Sequence, residues 1–326
     1  RDDGSLGGAC GTIFNVDSRD SRVHGDDDVN VSVGSFSRVR FSAGPPKGDG
    51  HDDKVPSPVA AARQPRTTAA TSSFELTFLH GNIHSFGSKS KTKSAEIKRL
   101  IERSDFPTYV FFTETWRDKS SEELTLEGYV EVSRRDRQTS THGGGIAAFA
   151  KAGFENTIVH IGDSKIAERS WHVIHSNRGP LLVGLWYRRP EQGEVLSIES
   201  LEPELAEFGD NVLGTIIIGD MNVHEQSWLS FSDGTTPEGR ALRDLACSNG
   251  WGERVRKPTR GSYLLDLVLT DLGSDVKARP VPGVSDHSAV LGSLAAMVDE
   301  EAARTRTVFD FGKAPWRRIS ERLSEK

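Results

Sequence analysis

The sequence predicts one α/β domain built on mixed β-sheets, and three observations carry that reading. Between Phe74 and Met297, short apolar or alternating runs recur, each bounded by Gly, Pro, Asn or Asp. Only three stretches show the 3.6-residue period of a buried helix face. With strands outnumbering helices, the sheets cannot all be parallel, because each parallel crossover needs a helix-length connection.

Residues 1–73 come first and read as a disordered, low-complexity segment. Residues 1–72 hold one leucine, Leu6, and no Glu, Trp or Tyr, while GDDDV and GDGHDDK are solvated charge clusters. Such a composition buries too little apolar surface to offset chain entropy. PSPVAAARQPRTTAATSS reads as a linker. The folded domain is expected over 74–298. FELTFLHGN (74–82) alternates and predicts a strand, and KSAEIKRLIER (93–103) places Ile97, Leu100 and Ile101 on one helical face. TYVFFTETW (108–116) has a continuous apolar run, as a strand covered on both faces does. GYVEVSRRD, GGGIAAFAK and FENTIVHIG predict three more strands, and residues 167–190 predict a hairpin turning at SNRGP. IESLEPELAEFG predicts a helix, and GTIIIGDMN (214–222) a short buried strand ending in a polar cluster. TTPEGRALRDLACSNG (235–250) carries helix punctuation: Thr235 as cap, Glu238 as its capping-box partner, Asn249-Gly250 as the stop. YLLDLVLTD (263–271) and SAVLGSLAAM (288–297) predict the last strands, and the tail 299–326 is charged, helix-prone and contains Trp316.

Composition narrows the function classes. The net charge is −6 over 326 residues, so the chain lacks the basic excess of a protein that coats nucleic acid, and any such contact is expected to be local. Two cysteines, Cys10 and Cys247, argue against a disulfide framework and a zinc knuckle and fit a reducing compartment. His80, His84, His172 and His175 have no spacing that suits a standard zinc site. The five tryptophans from Trp116 to Trp251 are expected to pack in the core or its rim. No apolar run is long enough to span a membrane, and no signal peptide is visible. An intracellular location follows as the expectation.

The predicted strands end in polar residues that a strand would not choose. The first ends at Asn82, the next at Glu114 in TET, the 180s strand at Tyr187, and the 214–219 strand runs into Asp220 and Asn222. Asp266 interrupts LLDLVLT, and Asp286-His287 opens the last strand. Singly, each has an ordinary explanation: a turn cap, a surface carboxylate, turn formers after Gly219. Asp266 is the exception, since a carboxylate among Leu264, Leu265, Leu267 and Val268 is costly to bury without a donor. His287 is the evident donor. Polar groups at strand ends converge on one rim of an α/β sheet. Carboxylates, amides, a phenol and one histidine, with no thiol and no phosphate-binding glycine loop, suit a hard cation and a phosphate substrate.

In that order, N…TETW…WYRRP…GDMN…LDLVLT…SDHSAV resembles the endonuclease/exonuclease/phosphatase superfamily, over 82–287. Within it, WYRRP and KPTRGSYLLDLVLT are most similar to the endonuclease domain of non-long-terminal-repeat retrotransposons, which is apurinic/apyrimidinic endonuclease-like. The resemblance implies a DNase I-like four-layer sandwich, two packed mixed β-sheets flanked by helices. It implies a Mg²⁺-dependent endonuclease, with Mn²⁺ as the alternative metal, that nicks DNA as a monomer. Glu114 would be the main metal ligand, with Asn82 and Asp286 supporting the metal and its waters. His287, oriented by Asp266, would act as base or phosphate ligand, and Asp220 would position the attacking water. Tyr187, Arg188 and Asn222 would contact substrate. FDFGKAPWRRISERL (309–323) is similar to the segment leading toward a reverse transcriptase, which implies such a domain in a parent polyprotein and a nuclear site of action.

Two positions depart from the repair enzymes of the superfamily. His84 stands where many members have Asn or Asp, and Pro190 where repair enzymes tend to have an amide. Arg134, Arg135, Arg137 and Arg189 are candidate DNA-backbone contacts or ordinary solvated charges. Two other readings compete: a phosphatase or phosphodiesterase for inositol or lipid phosphates, and a silent retroelement relic.

Overall fold

The alternating runs form twelve strands among the described residues, which are 72–86, 91–118, 121, 125–137 and 143–300 of this computed structural model. They fall in the compact unit Ala69–Lys326. Most of the expected N-terminal segment (1–71) and of the expected tail (301–326) lies outside the described residues. In chain order the elements are β1 (Ser72–Asn82), α1 (Lys91–Arg103), β2 (Tyr109–Thr113), β3 (Tyr129–Arg135), β4 (Ile146–Lys151), β5 (Ile158–Asp163), β6 (Glu168–Ser176) and β7 (Gly179–Tyr187). They continue with α2 (Leu196–Glu199), α3 (Leu201–Phe208), β8 (Gly214–Asp220), α4 (Pro237–Ser248), β9 (Gly252–Glu253), β10 (Asp266–Thr270), β11 (Val276–Val281) and β12 (Ala289–Glu300).

Two six-stranded sheets result, ordered β11-β12-β1-β2-β4-β3 and β5-β6-β7-β8-β10-β9. Each has a single parallel pair near its centre, β1–β2 and β7–β8, and antiparallel pairing elsewhere. Helices make the two parallel crossovers: α1 lies between β1 and β2, and α2 and α3 between β7 and β8.

Side-chain alternation explains why both faces of each sheet are covered. Leu76, Phe78, Tyr109 and Phe111 join the core between the sheets, while Leu79, Val110, Phe112 and Phe149 pack with Ile97, Leu100 and Ile101 of α1. Leu181, Val183, Ile216 and Ile218 meet Leu76, Phe78 and Phe111 from the second sheet. A fully buried Arg169 pins the outer helices to β6. Its guanidinium donates to Glu204 Oε2 at 2.9 Å, Ser197 O at 3.0 Å and Ser200 Oγ at 2.9 Å.

Four elements differ from the sequence expectation. Thr236, not Thr235, caps α4, accepting from Gly239 N at 3.1 Å. Pro237 takes the first helical position and forces the residue before it into extended backbone, which is what a cap requires. The helix over 198–209 is two pieces, α2 and α3. β9 and β11 were not anticipated: β9 has two residues, and β11 carries Pro280, a residue that only an edge strand tolerates.

Glu204→Ala, which leaves the Arg169 charge buried without its carboxylate, is expected to cost about 3–5 kcal/mol in urea unfolding. A second test uses pH. Burial pushes Glu253 up to about 7, against the backbone N–H groups of Val255 and Val268 that bond its carboxylate. The folded state then keeps a proton that the unfolded chain releases, so this residue lowers stability as pH rises from about 4.5 to about 7. Denaturation midpoints measured across that window are expected to fall more steeply for the wild type than for Glu253→Gln. Equal slopes would exclude the effect.

Candidate active site

Parallel pairing delivers the first residues. Strands that run the same way end at the same edge, so β1 and β2 bring Asn82 beside Thr113, and β7 and β8 bring Tyr187 beside Asp220. Glu114 follows Thr113 directly. β10 runs against β8, and its first residue, Asp266, pairs with Asp220. Gly219 makes the approach of β8 to β7 possible, because a Cβ there would overlap Trp186 O. The 283–288 loop brings in His287: Ser285 Oγ donates to Asn82 O at 2.6 Å, and Ser288 N donates to Thr259 O at 2.6 Å.

Asn82 links the sheets. Its Nδ2 donates to Glu114 Oε1 at 3.1 Å in its own sheet and to Asp220 Oδ2 at 2.9 Å in the other. Trp116 Nε1 holds the second Glu114 oxygen at 2.9 Å. Glu114 has a φ of 53°, a left-handed conformation that is uncommon outside glycine. Burial, then the charges of Glu114 and Asp220, push the Tyr187 phenol far above its ordinary range, and its hydroxyl hydrogen-bonds Glu114.

The opposite wall is a buried acid–imidazole pair. His287 Nδ1–H donates to Asp266 Oδ2 at 2.8 Å, as the sequence required of a carboxylate set among leucines. Asp266 is 0% exposed. Thr259 Oγ1 accepts from the backbone N–H of Leu265 and Asp266, which explains the Thr of KPTRGSYLLD as a tie between β10 and the His287 loop. With Nδ1 committed, Nε2 faces Asp220 Oδ2 across 4.0 Å. Burial opposes charge on His287, but the hydrogen bond and charge of Asp266, with the charge of Asp220, hold its pKa above the usual value. Burial and the neighbouring Asp266 charge push Asp220 up to about 8. Asp220 Oδ1 is buried without a hydrogen-bond partner among the described residues.

These acids fit a divalent cation. Glu114 and Asp220 both accept from Asn82, and Asp220 Oδ1 has no hydrogen-bond partner among the described residues, so acidic oxygens gather around an unfilled acceptor. Hard oxygen donors of this kind suit Mg²⁺. Asp220, Asp266 and His287 also offer ligand atoms within 4.8 Å of one another. Asp266 and His287 already satisfy each other, however, so that trio is better suited to handling a proton than to caging an ion.

Six expected residues thus converge: Asn82, Glu114, Tyr187, Asp220, Asp266 and His287. Three stand apart. Arg188 is buried, and its guanidinium donates to the carbonyls of Arg189, Asn222, Glu191 and Glu194, which braces its own loop rather than offering a substrate contact. Asn222 Nδ2 donates to Arg188 O at 2.9 Å. Asp286 is half-exposed at the rim, where Arg260 holds it at 2.7 Å and His84 Nδ1 lies at 3.7 Å. Reasoning from the sequence missed Thr259, Ser285 and Glu168. From the sequence Trp116 is expected to pack in the core or its rim and His80 to have no metal role, yet Trp116 holds Glu114, and His80 Nδ1 lies 3.6 Å from Asp266 Oδ1. Glu168 and Tyr187 line a cleft of about 810 Å³ beside the site, with Arg135, Arg137, Lys165 and Arg189 further along it. Burial pushes Glu168 up to about 7.

The architecture is the DNase I-like sandwich, an α/β fold of two packed mixed sheets. The endonuclease domain of TRAS1, a telomere-specific non-LTR retrotransposon, superposes with a TM-score of 0.51 at 15% identity, over 68% of this chain and 98% of that one. The catalytic domain of Xenopus laevis APE2 superposes with a TM-score of 0.51 at 14% identity, over 74% of this chain and 99% of that one. At this identity the likeness establishes the fold. No protein-family model matches the chain, and no curated protein matches it in sequence.

Replacing Asp266 by Asn removes the charge and the strong acceptor that raise the His287 pKa. The His287 pKa, followed by NMR titration of the imidazole, is expected to fall. An unchanged value would mean that the pair does not set the charge of the imidazole.

Proposed function

We propose that this chain is a metal-dependent phosphodiester hydrolase, and specifically a retrotransposon-type endonuclease that nicks DNA. The observation that carries it is the convergence of Asn82 and Glu114 from one sheet with Tyr187, Asp220 and Asp266 from the other, and with His287 from the loop that leads into β12. Mg²⁺ is the proposed metal, with Mn²⁺ as its substitute, held from Glu114 and Asp220 with Asn82 beside them. When bound it neutralises phosphate charge and lowers the pKa of coordinated water.

The chain's own groups supply the rest. Asp220, whose raised pKa suits a base and which ionises once a cation offsets the neighbouring charge, accepts a proton from the attacking water at Oδ1. Asp266 holds His287 Nδ1–H and favours the imidazolium, in which Nε2–H is directed into the gap toward Asp220, where a phosphate oxygen would lie. Tyr187 donates its hydroxyl to developing phosphate charge. WYRRP, KPTRGSYLLDLVLT and the likeness to the TRAS1 endonuclease favour the retroelement branch. On that reading the protein acts as a monomer in the nucleus, beside a reverse transcriptase domain of a parent polyprotein. Asp286 would join the metal site only after releasing Arg260.

The full chain, given Mg²⁺ and supercoiled plasmid, is expected to produce nicked circles, and chelation should stop it. Glu114→Ala and His287→Ala are each expected to slow nicking by roughly 10²–10⁴-fold. Cleavage of an inositol phosphate with no plasmid nicking would favour the phosphatase reading. Variants as active as the wild type would reject the site.

A further inference from the structure

Glu168 is the acid that the chemistry above leaves unused. It opens β6 in register with Tyr187, at the edge of the second sheet where Asp220 also ends its strand. Its carboxylate crosses to the first sheet and accepts from the backbone N–H of Gly145, just before β4. Gly143, Gly144 and Gly145 have φ of 75°, 75° and 86°, where other residues are strained. A Cβ on Gly144 would meet Glu168 Oε2 at 2.9 Å and Oε1 at 3.0 Å. The glycines are therefore what allow the carboxylate so close.

The same turn holds the Glu114 loop. Thr115 N donates to Gly145 O at 3.0 Å and Trp116 N to Gly144 O at 2.8 Å. Trp116 then holds Glu114 through its indole N–H. From the other side, Ser85 N and Phe86 N donate to the carbonyls of Glu114 and Thr115 at 2.8 and 2.9 Å. Glu114 and Trp116 both have φ of 53°. Such conformations cost on the order of 1–3 kcal/mol each and persist only where the surroundings over-determine them.

We propose that Glu168 is a positioning residue: by fastening the 143–145 turn to the second sheet, it holds Glu114 in its left-handed conformation, with its carboxylate beside Asn82 and Tyr187. This rests on the hydrolase reading, in which Glu114 holds the cation together with Asp220. The role needs a hydrogen-bond acceptor rather than a charge. Glutamine at 168 keeps an oxygen for Gly145 N–H, whereas alanine removes it.

The test uses the full chain as wild type, Glu168→Ala, Glu168→Gln and Glu114→Ala. Mn²⁺ affinity is measured by electron paramagnetic resonance of the free ion, and plasmid nicking is resolved into kcat and KM. Glu168→Ala is expected to weaken Mn²⁺ binding by about 10–100-fold, as loss of a group supporting a metal ligand does. It should lower kcat while leaving the KM for plasmid near wild type. Glu168→Gln should stay near wild type in both readouts. Circular dichroism checks the fold, and if Glu168→Ala does not fold, Glu168→Asp, one methylene too short for Gly145, is read in its place. Unchanged Mn²⁺ affinity in the alanine variant would overturn the proposal, as would a glutamine variant that falls equally far. If Mn²⁺ binding follows this pattern but no form nicks DNA, positioning stands and the nuclease reading fails.

Discussion

One amide joins the two halves of this fold where its chemistry would occur. Asn82 donates to Glu114 in one sheet and to Asp220 in the other. Between the sheets the packing is apolar and non-directional, so it fixes their spacing without fixing the placement of individual oxygens. Directional contacts do that: Asn82 to Asp220, Tyr187 to Glu114, and Glu168 to Gly145. The site therefore depends on two independently built sheets meeting in register, and its polar residues are the bolts as well as the tools.

Topology accounts for the location. A mixed sheet with one parallel pair has one edge at which two adjacent strands both end, and here both sheets present that edge to the same place. A residue just beyond such an end is free of the ladder. That freedom lets Glu114 and Asn222 take left-handed backbone, which a residue inside the strand could not.

The sequence made much of this legible, for identifiable reasons. Asp266 announced its partner because a carboxylate flanked by leucines has few affordable environments. Asn82, Glu114, Tyr187 and Asp220 showed themselves as polar residues closing apolar runs. The strands were readable from alternation, whereas β9 was too short for any period and β11 was masked by Lys277, Arg279 and Pro280. Arg188 looks in the sequence like a phosphate contact after a strand, and its carbonyl partners, spread over 189–222, come together only on folding. Thr259, Ser285 and Glu168 act through backbone atoms of distant segments, and no local pattern encodes such contacts.

The left-handed backbone at Glu114 has a bearing on how this protein would respond to selection for robustness. Glycine there would relax the main chain, yet it would strip Asn82, Trp116 and Tyr187 of the acceptor they share. A search that rewards heat tolerance alone would therefore gain little by discarding the carboxylate. Sturdiness and reactivity meet at this position, and the awkward backbone is kept by both.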